Sequence, residues 1–282
     1  MKLYNMNKII ISLGLTVFAF TSCKDNTKLT VQKEQKIEVE VNDAPAITLA
    51  EINKPVFFDF TSTGCPGCGS WGAPTFENMS RNLKNDIVPV AVHIKYGDPM
   101  ITGASKAIAN NRTGQYFTPQ LWINNTNGVV LSGNSINGSA SILKINSEIE
   151  TFQSIETSMA VGVSQAINGD KLTIRYKTKA LKNLAGEYWI GLYVMENDIL
   201  YKQNSGAQNP FEHNHVIRVS NSGGFGDLIE DEALLSGSET EKTKDFTLNK
   251  TWVKDNLYVT VIVWKKEGEN FLVVNANNNL VY

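Results

Sequence analysis

Hydrophobic positions change their rhythm several times along the chain. Ile9 to Phe20 is an apolar run broken only by Ser12, Gly14 and Thr16. At about twelve residues it falls short of the roughly 20 that a spanning helix needs, and it fits the apolar core of a leader over residues 1–22. Residues 23–44 are polar and charged (Lys24, Asp25, Lys28, Lys33, Glu34, Lys36) and read as a solvated tether. Near its end Ile37, Val39 and Val41 alternate with polar residues, the period of a short strand. Pro55 to Phe60 is a continuous apolar and aromatic run, the pattern of a buried strand. Thr61 to Gly64 form a turn, after which Trp71, Phe76, Met79 and Leu83 recur at roughly helical spacing. Val90 to Ile94 is a second strand, and Leu121 to Ile123 a third, entered through Pro119. Asn127-Gly128 predicts a hairpin turn into Val129 to Leu131. Ser139 to Phe152 reads as a helix with Ile142, Ile145, Ile149 and Phe152 on one face.

From about Ser158 the period becomes that of strands. Met159 to Ile167 turns back through Asn168-Gly169-Asp170 into Leu172, Ile174 and Tyr176. Further strands are expected over 188–195, 215–219, 245–248, 257–264 and 271–274. About seven short strands with turn signals predict an all-β immunoglobulin-like sandwich domain over 156–282. Two long polar stretches, Asn197 to Asn214 and Ser220 to Lys244, interrupt it as loops of the kind that carry function.

Composition narrows the classes of function. The 282 residues suggest roughly two domains, and 42% hydrophobic against 19% charged excludes a wholly disordered chain. Lys+Arg number 26 and Asp+Glu 28, so there is no basic excess to hold nucleic acid. The three cysteines are Cys23, Cys65 and Cys68. Three readings compete for Cys65-Pro66-Gly67-Cys68. A zinc site needs about four ligands, and only His93, His213 and His215 could add nitrogens. A structural disulfide would close a very short loop and constrain the unfolded chain little. A redox-active dithiol fits the context best: strand, turn, Cys-x-x-Cys, helix. That order puts Cys65 at a helix N-terminus, where unpaired N–H groups and the dipole favour a thiolate. Pro66 suits the first helical turn, and Cys68 lies further in and more buried.

The apolar run followed by Thr21-Ser22-Cys23 resembles a bacterial lipobox, which implies cleavage before Cys23 and lipidation at that residue. The stretch Val56 to Cys68 resembles the strand and active-site loop of thioredoxin-fold oxidoreductases, and the likeness extends over about 45–155, an α/β thioredoxin-like domain. The resemblance implies that Asp59, six residues before Cys65, is a buried acid serving the dithiol. It implies that Pro74 kinks the active-site helix, one residue later than in the family. It also implies that Thr118-Pro119 carries a cis bond facing the disulfide. Gly64 stands where that family usually has Trp, and the Pro66-Gly67 dipeptide is not thioredoxin's own.

The roles that follow are an attacking, exposed Cys65 and a resolving Cys68. Asp59 exchanges a proton with Cys68, and Thr118 and Pro119, with Pro66 and Gly67, dock the substrate chain. No cofactor or metal is called for. His213 and His215 would share a face of one strand, but a buried imidazole at a strand entry accounts for them better than a metal site, and His93 reads as a core or surface residue. The order lipobox, thioredoxin-like part, β-region, with His213 to Arg218 (HNHVIR), resembles Bacteroidetes lipoproteins related to the twenty-eight-kilodalton outer membrane protein. That resemblance implies a lipid-anchored outer-membrane protein facing periplasm or cell surface. Two classes of function remain: an envelope thiol–disulfide oxidoreductase acting on cysteine-containing envelope proteins, or a surface binding or adhesion lipoprotein whose Cys65–Cys68 bond is structural.

Overall fold

A computed structural model describes residues 44–95, 97–133, 135–230 and 233–280. The expected leader, the expected lipidation site Cys23 and the expected tether up to residue 43 lie outside the described residues. Strand β1 (Val56–Thr61) is buried along its whole length. Its side chains alternate, so Val56, Phe58 and Phe60 join one core while Phe57 joins another. Asp59 falls on the Phe57 side. Strand β2 (Val88–His93) runs parallel to β1, with Asp59 opposite Ala91 and Thr61 opposite His93. Parallel neighbours need a crossover. Here it is a five-residue π-helical turn (Cys68–Gly72) continuing into α1 (Ala73–Asn82), whose Phe76 and Met79 are buried. Helix α2 (Gly103–Asn110) starts at Thr102, whose hydroxyl accepts from Ser105 N–H at 3.0 Å. Strands β3 (Gln120–Ile123) and β4 (Thr126–Asn127) extend the sheet in antiparallel fashion, and α3 (Gly138–Ser154) follows.

Two local expectations shift. The hairpin between β3 and β4 turns at Asn124-Asn125, not at Asn127-Gly128. Asn124 takes φ 51°, a conformation that Asn tolerates, and Gly128 instead packs its backbone against Ile145. In α3, Ile145 and Ile149 face the core while Ile142 is exposed.

The rest of the chain is strand: β5 (Met159–Asn168), β6 (Lys171–Ala180), β7 (Tyr188–Glu196), β8 (Ile199–Tyr201), β9 (Phe211–His213), β10 (Val216–Ser220), β11 (Asp227–Glu230), β12 (Glu239–Thr247), β13 (Leu257–Glu267) and β14 (Asn270–Asn278). Gly169 at φ 60° makes the tight β5–β6 turn where Asn168-Gly169-Asp170 predicts it. The expected loop over 220–244 contains β11 and β12 up to Lys244. Strand β12 shows little apolar alternation because it pairs with β6 partly through charge: Lys171–Asp245 and Lys177–Glu239 at 2.9 Å each, and Arg175–Glu241.

The protein is mostly β, with few helices. One sheet runs β14-β13-β7-β10-β2-β1-β3-β4, with β11 also paired to β7. The junction is β10 beside β2, where Ala91 N–H donates to the His215 carbonyl at 2.7 Å. Strands β5, β6 and β12 form a second sheet. Met159, Val161, Leu172 and Ile174 from β5 and β6 share a core with Leu192, Val194, Val259 and Val261 of β7 and β13. On the other face Tyr193, Ile262 and Trp264 pack with Phe58, Phe60 and Val90, and with Ile108 of α2. The change of period near residue 156 thus marks where the helices stop, not where the sheet ends; Asn42–Tyr282 form one compact unit.

Candidate functional site at Cys65 and Cys68

The end of β1 delivers the chain into a turn closed by Cys65 N–H donating to the Ser62 carbonyl at 3.1 Å. Helical geometry starts at Pro66, so Cys65 stands at the mouth of a helix as its residue types predict. Cys65 and Cys68 form a disulfide, with Cα atoms 5.2 Å apart. Their two sulfurs are treated differently. Cys65 Sγ receives the Cys68 backbone N–H at 3.2 Å and the Thr118 hydroxyl at 3.3 Å. Cys68 is fully buried. Two donors converging on one sulfur are what would stabilise it as a thiolate.

Thr118–Pro119 is cis, and the Pro119 ring lies on the backbone of the helical turn that follows Cys65. A side chain at Gly67 would come within 3.1 Å of Pro119 Cδ, and one at Gly72 would run into the ring. The approach of Pro119 therefore requires a glycine at 72, while at Gly67 the ring would have to give by a few tenths of an ångström. The structure thus brings Cys65, Pro66, Gly67, Cys68, Thr118 and Pro119 together. Pro74 is the second residue of α1, directly after the π-helical turn.

Asp59 is buried on the side of the sheet that carries α1. Burial, and then the charge of Glu77, push its carboxyl up to about 8 against the bond from Thr61. Its Oδ1 has no partner among the described residues. Glu77 on α1 is raised by burial to about 7, opposed by Asn214 and Arg81. Two protonatable carboxyls therefore lie under this part of the sheet. Glu77 was not singled out by the sequence, because a helical glutamate looks like any solvated one.

The histidines separate. His93 Nδ1 lies 2.8 Å from Asp98 Oδ2, both buried. That oxygen also accepts Thr63 N–H at 2.9 Å, and Oδ1 accepts Met100 N–H at 2.9 Å. Burial pushes the Asp98 carboxyl up, but His93 and these N–H groups outweigh it and hold it down to about 2. Asp98 thereby anchors the turn two residues before Cys65. His213 packs its ring on His93 at 5.6 Å, and burial with the His93 charge lowers it to about 4. His215, expected on the same strand face, lies outside β9 and β10 at φ 58° and bonds Tyr258 Oη at 2.8 Å. Burial lowers it to about 3. Both rings are neutral at physiological pH. Among the described residues no three His, Cys, Asp or Glu side chains are grouped to hold a metal.

Cys65 departs from expectation: it is only 3% exposed. The polar stretch 197–214 folds as the β8–β9 hairpin, whose connecting strap over residues 202–210 crosses the turn at Ser62 to Cys65. Gln203 Nε2 donates to the Ser62 carbonyl at 3.2 Å and the Cys65 carbonyl at 3.1 Å, and Asn204 N–H donates to the Thr63 carbonyl at 2.8 Å. Beside it lies a cleft of about 690 Å³ walled by Thr63, Gly64, Lys95 and Asp98 on one side and Lys202 and Asn204 on the other.

No protein-family model matches the chain. No curated protein matches it either. Among solved structures, HBP35 of Porphyromonas gingivalis superposes with TM-score 0.62 at 19% identity, covering 82% of this chain and 76% of that one. A domain of the outer membrane lipoprotein Omp28 from the same organism gives TM-score 0.31 at 13% identity, over 43% of this chain and 86% of that one. Among the described residues no helix is long and apolar enough to cross a membrane. What these comparisons establish is a fold shared with HBP35 over most of both chains.

Proposed function

We propose that the protein is an envelope thiol–disulfide oxidoreductase of thioredoxin-like design, held at the outer membrane by lipid on Cys23. The observation that carries the reading is the asymmetric pair, with Cys68 N–H and Thr118 Oγ1 on Cys65 Sγ beside Pro119. The order β2-β1-β3-β4, with β3 antiparallel, supports the thioredoxin-like reading of 45–155. The facing sheets after residue 156 support the immunoglobulin-like one. The anchor, the outer-membrane location and the relation to the twenty-eight-kilodalton family rest on the leader, Cys23 and the HNHVIR segment.

In the exchange, the Cys65 thiolate attacks a substrate disulfide, forms the mixed disulfide and expels one substrate thiolate, which takes a proton. Asp59 in its ionised form, the minor one below about pH 8, takes the proton of the Cys68 thiol. The Cys68 thiolate attacks Cys65 Sγ and expels the second substrate thiolate, which takes up the proton that Asp59 then gives back. The substrate gains two electrons and two protons, and the enzyme ends as the Cys65–Cys68 disulfide seen here. The reverse sequence oxidises a substrate dithiol. A second reading, a binding lipoprotein with a structural disulfide, is favoured by the burial of Cys65. Cys68→Ser decides between them. The oxidoreductase accumulates covalent adducts with envelope proteins that a thiol reductant releases. A structural disulfide gives none.

A further inference from the structure

The strap over the active-site turn is neither a core element nor a slack loop. Among residues 202–210 only Gln203 is buried, at 6% exposure; Asn204, Ser205 and Ala207 to Pro210 are exposed. No apolar side chain of this segment is buried to hold it down. Its attachment to the turn is polar, made to the carbonyls of Ser62, Thr63 and Cys65 and, through the Asn204 side chain at 3.4 Å, of Gly64. Its backbone also sits against Gly69, one residue after Cys68: a side chain there would come within 2.7 Å of Gly206 N and would run into the Asn204 carbonyl. A buried amide serving carbonyls beside a reactive sulfur, on a segment otherwise free of apolar anchors, is a cover built to be exchanged for something with similar donors.

We propose that this strap is an intramolecular stand-in for the substrate. It fills the Ser62, Thr63 and Cys65 carbonyls until an extended polypeptide presenting backbone N–H groups displaces it. The inference rests on the oxidoreductase reading and adds its substrate class: unstructured protein segments bearing cysteine, in preference to small disulfides. A small disulfide such as glutathione disulfide carries amide N–H groups but, with its γ-glutamyl links, no α-peptide strand to lay them along the turn in place of Gln203 and Asn204, so it waits for spontaneous opening. An extended chain replaces them as it docks. Gln203 is in these terms a positioning residue. It keeps the strap closed and takes no part in the electron transfer.

The test uses the protein without its leader, in reduced form, with two variants that loosen the strap from opposite sides. Gln203→Ala removes the buried amide, and Gly69→Ala wedges the strap from beneath. Modification of Cys65 by a polyethylene-glycol maleimide reads the cover directly. Both variants are expected to speed it about tenfold, the scale of one or two lost hydrogen bonds. Oxidation by a disulfide-bridged unstructured peptide and by glutathione disulfide reads the selectivity. The wild type favours the peptide, and each variant narrows that preference about tenfold by admitting glutathione disulfide. Unchanged maleimide rates in both variants, with near-wild-type circular dichroism, would overturn the cover. Faster modification with an unchanged preference would overturn its role in selection. Faster modification in variants and wild type that reduce neither disulfide would leave the strap a cover and bring down the oxidoreductase reading instead.

Discussion

The active-site turn and the strap lying on it are held in opposite ways. The turn is fixed from several sides: Asp98 takes the Thr63 N–H, Pro119 presses on Gly67 and Gly72, and Cys68 is sealed in the core. The strap hangs on one buried amide, one main-chain bond and the exposed Asn204 side chain on the Gly64 carbonyl. Stability is thus concentrated under the sulfur pair and thin above it, as is expected where access has to be granted and withdrawn. A rigid turn keeps the donors on Cys65 Sγ in place, and a weakly held cover lets the same sulfur be reached.

The largest effect expected on this contrast is chemical. Cys65→Ser abolishes exchange in a protein-disulfide reduction assay while the strap stays closed. Next comes the sheet that supports the turn. Trp264 stacks on Phe58 at 6.4 Å between ring centroids and donates to Tyr193 Oη at 3.0 Å. Trp264→Ala should cost about 3–5 kcal/mol in denaturant unfolding, with one transition rather than two, because both cores meet on β13.

The pH dependence of the supporting layer follows from Asp59. Its folded carboxyl, pushed up to about 8 from 3.8 by burial and Glu77, binds a proton that the unfolded chain has already released. Stability is therefore full below about pH 4 as far as this group is concerned. It falls as pH rises towards 8, by at most about 1.4 kcal/mol per unit. Asp59→Asn should gain melting temperature relative to the wild type as pH rises from 5 to 8, because Glu77, His213 and His215 titrate in both proteins. A difference between the two that does not grow with pH over that interval would contradict the assignment.

Smaller effects sharpen the contrast itself. Gly72→Ala forces a methyl group into the Pro119 ring and should cost about 1–3 kcal/mol. Gln208→Ala, on the exposed part of the strap, should stay within about 0.5 kcal/mol of wild type by the same thermal melt.

How much of this could be read in advance depended on how distinctive each residue is. Cys65, Cys68 and Pro119 announced themselves, because few residue types do their chemistry and their order along the chain was specific. The Phe57 strand and the Asn168-Gly169-Asp170 turn followed from period and from glycine's freedom. Strand β12 was legible only at its end, from Asp245 on, because before it Lys and Glu pairs replace the apolar alternation that marks a strand. The Asn127-Gly128 turn was misplaced because Asn124 makes the bend without a glycine. Gln203 and Asn204 were hidden for a deeper reason. A glutamine in a polar run carries no sign of where it folds, and its partners lie about 140 residues away in sequence. The exposed Cys65 expected from the motif became a covered one through contacts that only the tertiary fold supplies.

The account's central claim is the unequal pair of sulfurs, and alkylation of the reduced protein by iodoacetamide across pH tests it most directly, in the wild type and in Gln203→Ala. Cys65 should be alkylated first in both, with a midpoint below the roughly 8.5 of an unperturbed thiol, and faster once the strap is loosened. Prior alkylation of Cys68, or a Cys65 in Gln203→Ala that reacts at pH 6 no faster than an unperturbed thiol, would contradict it.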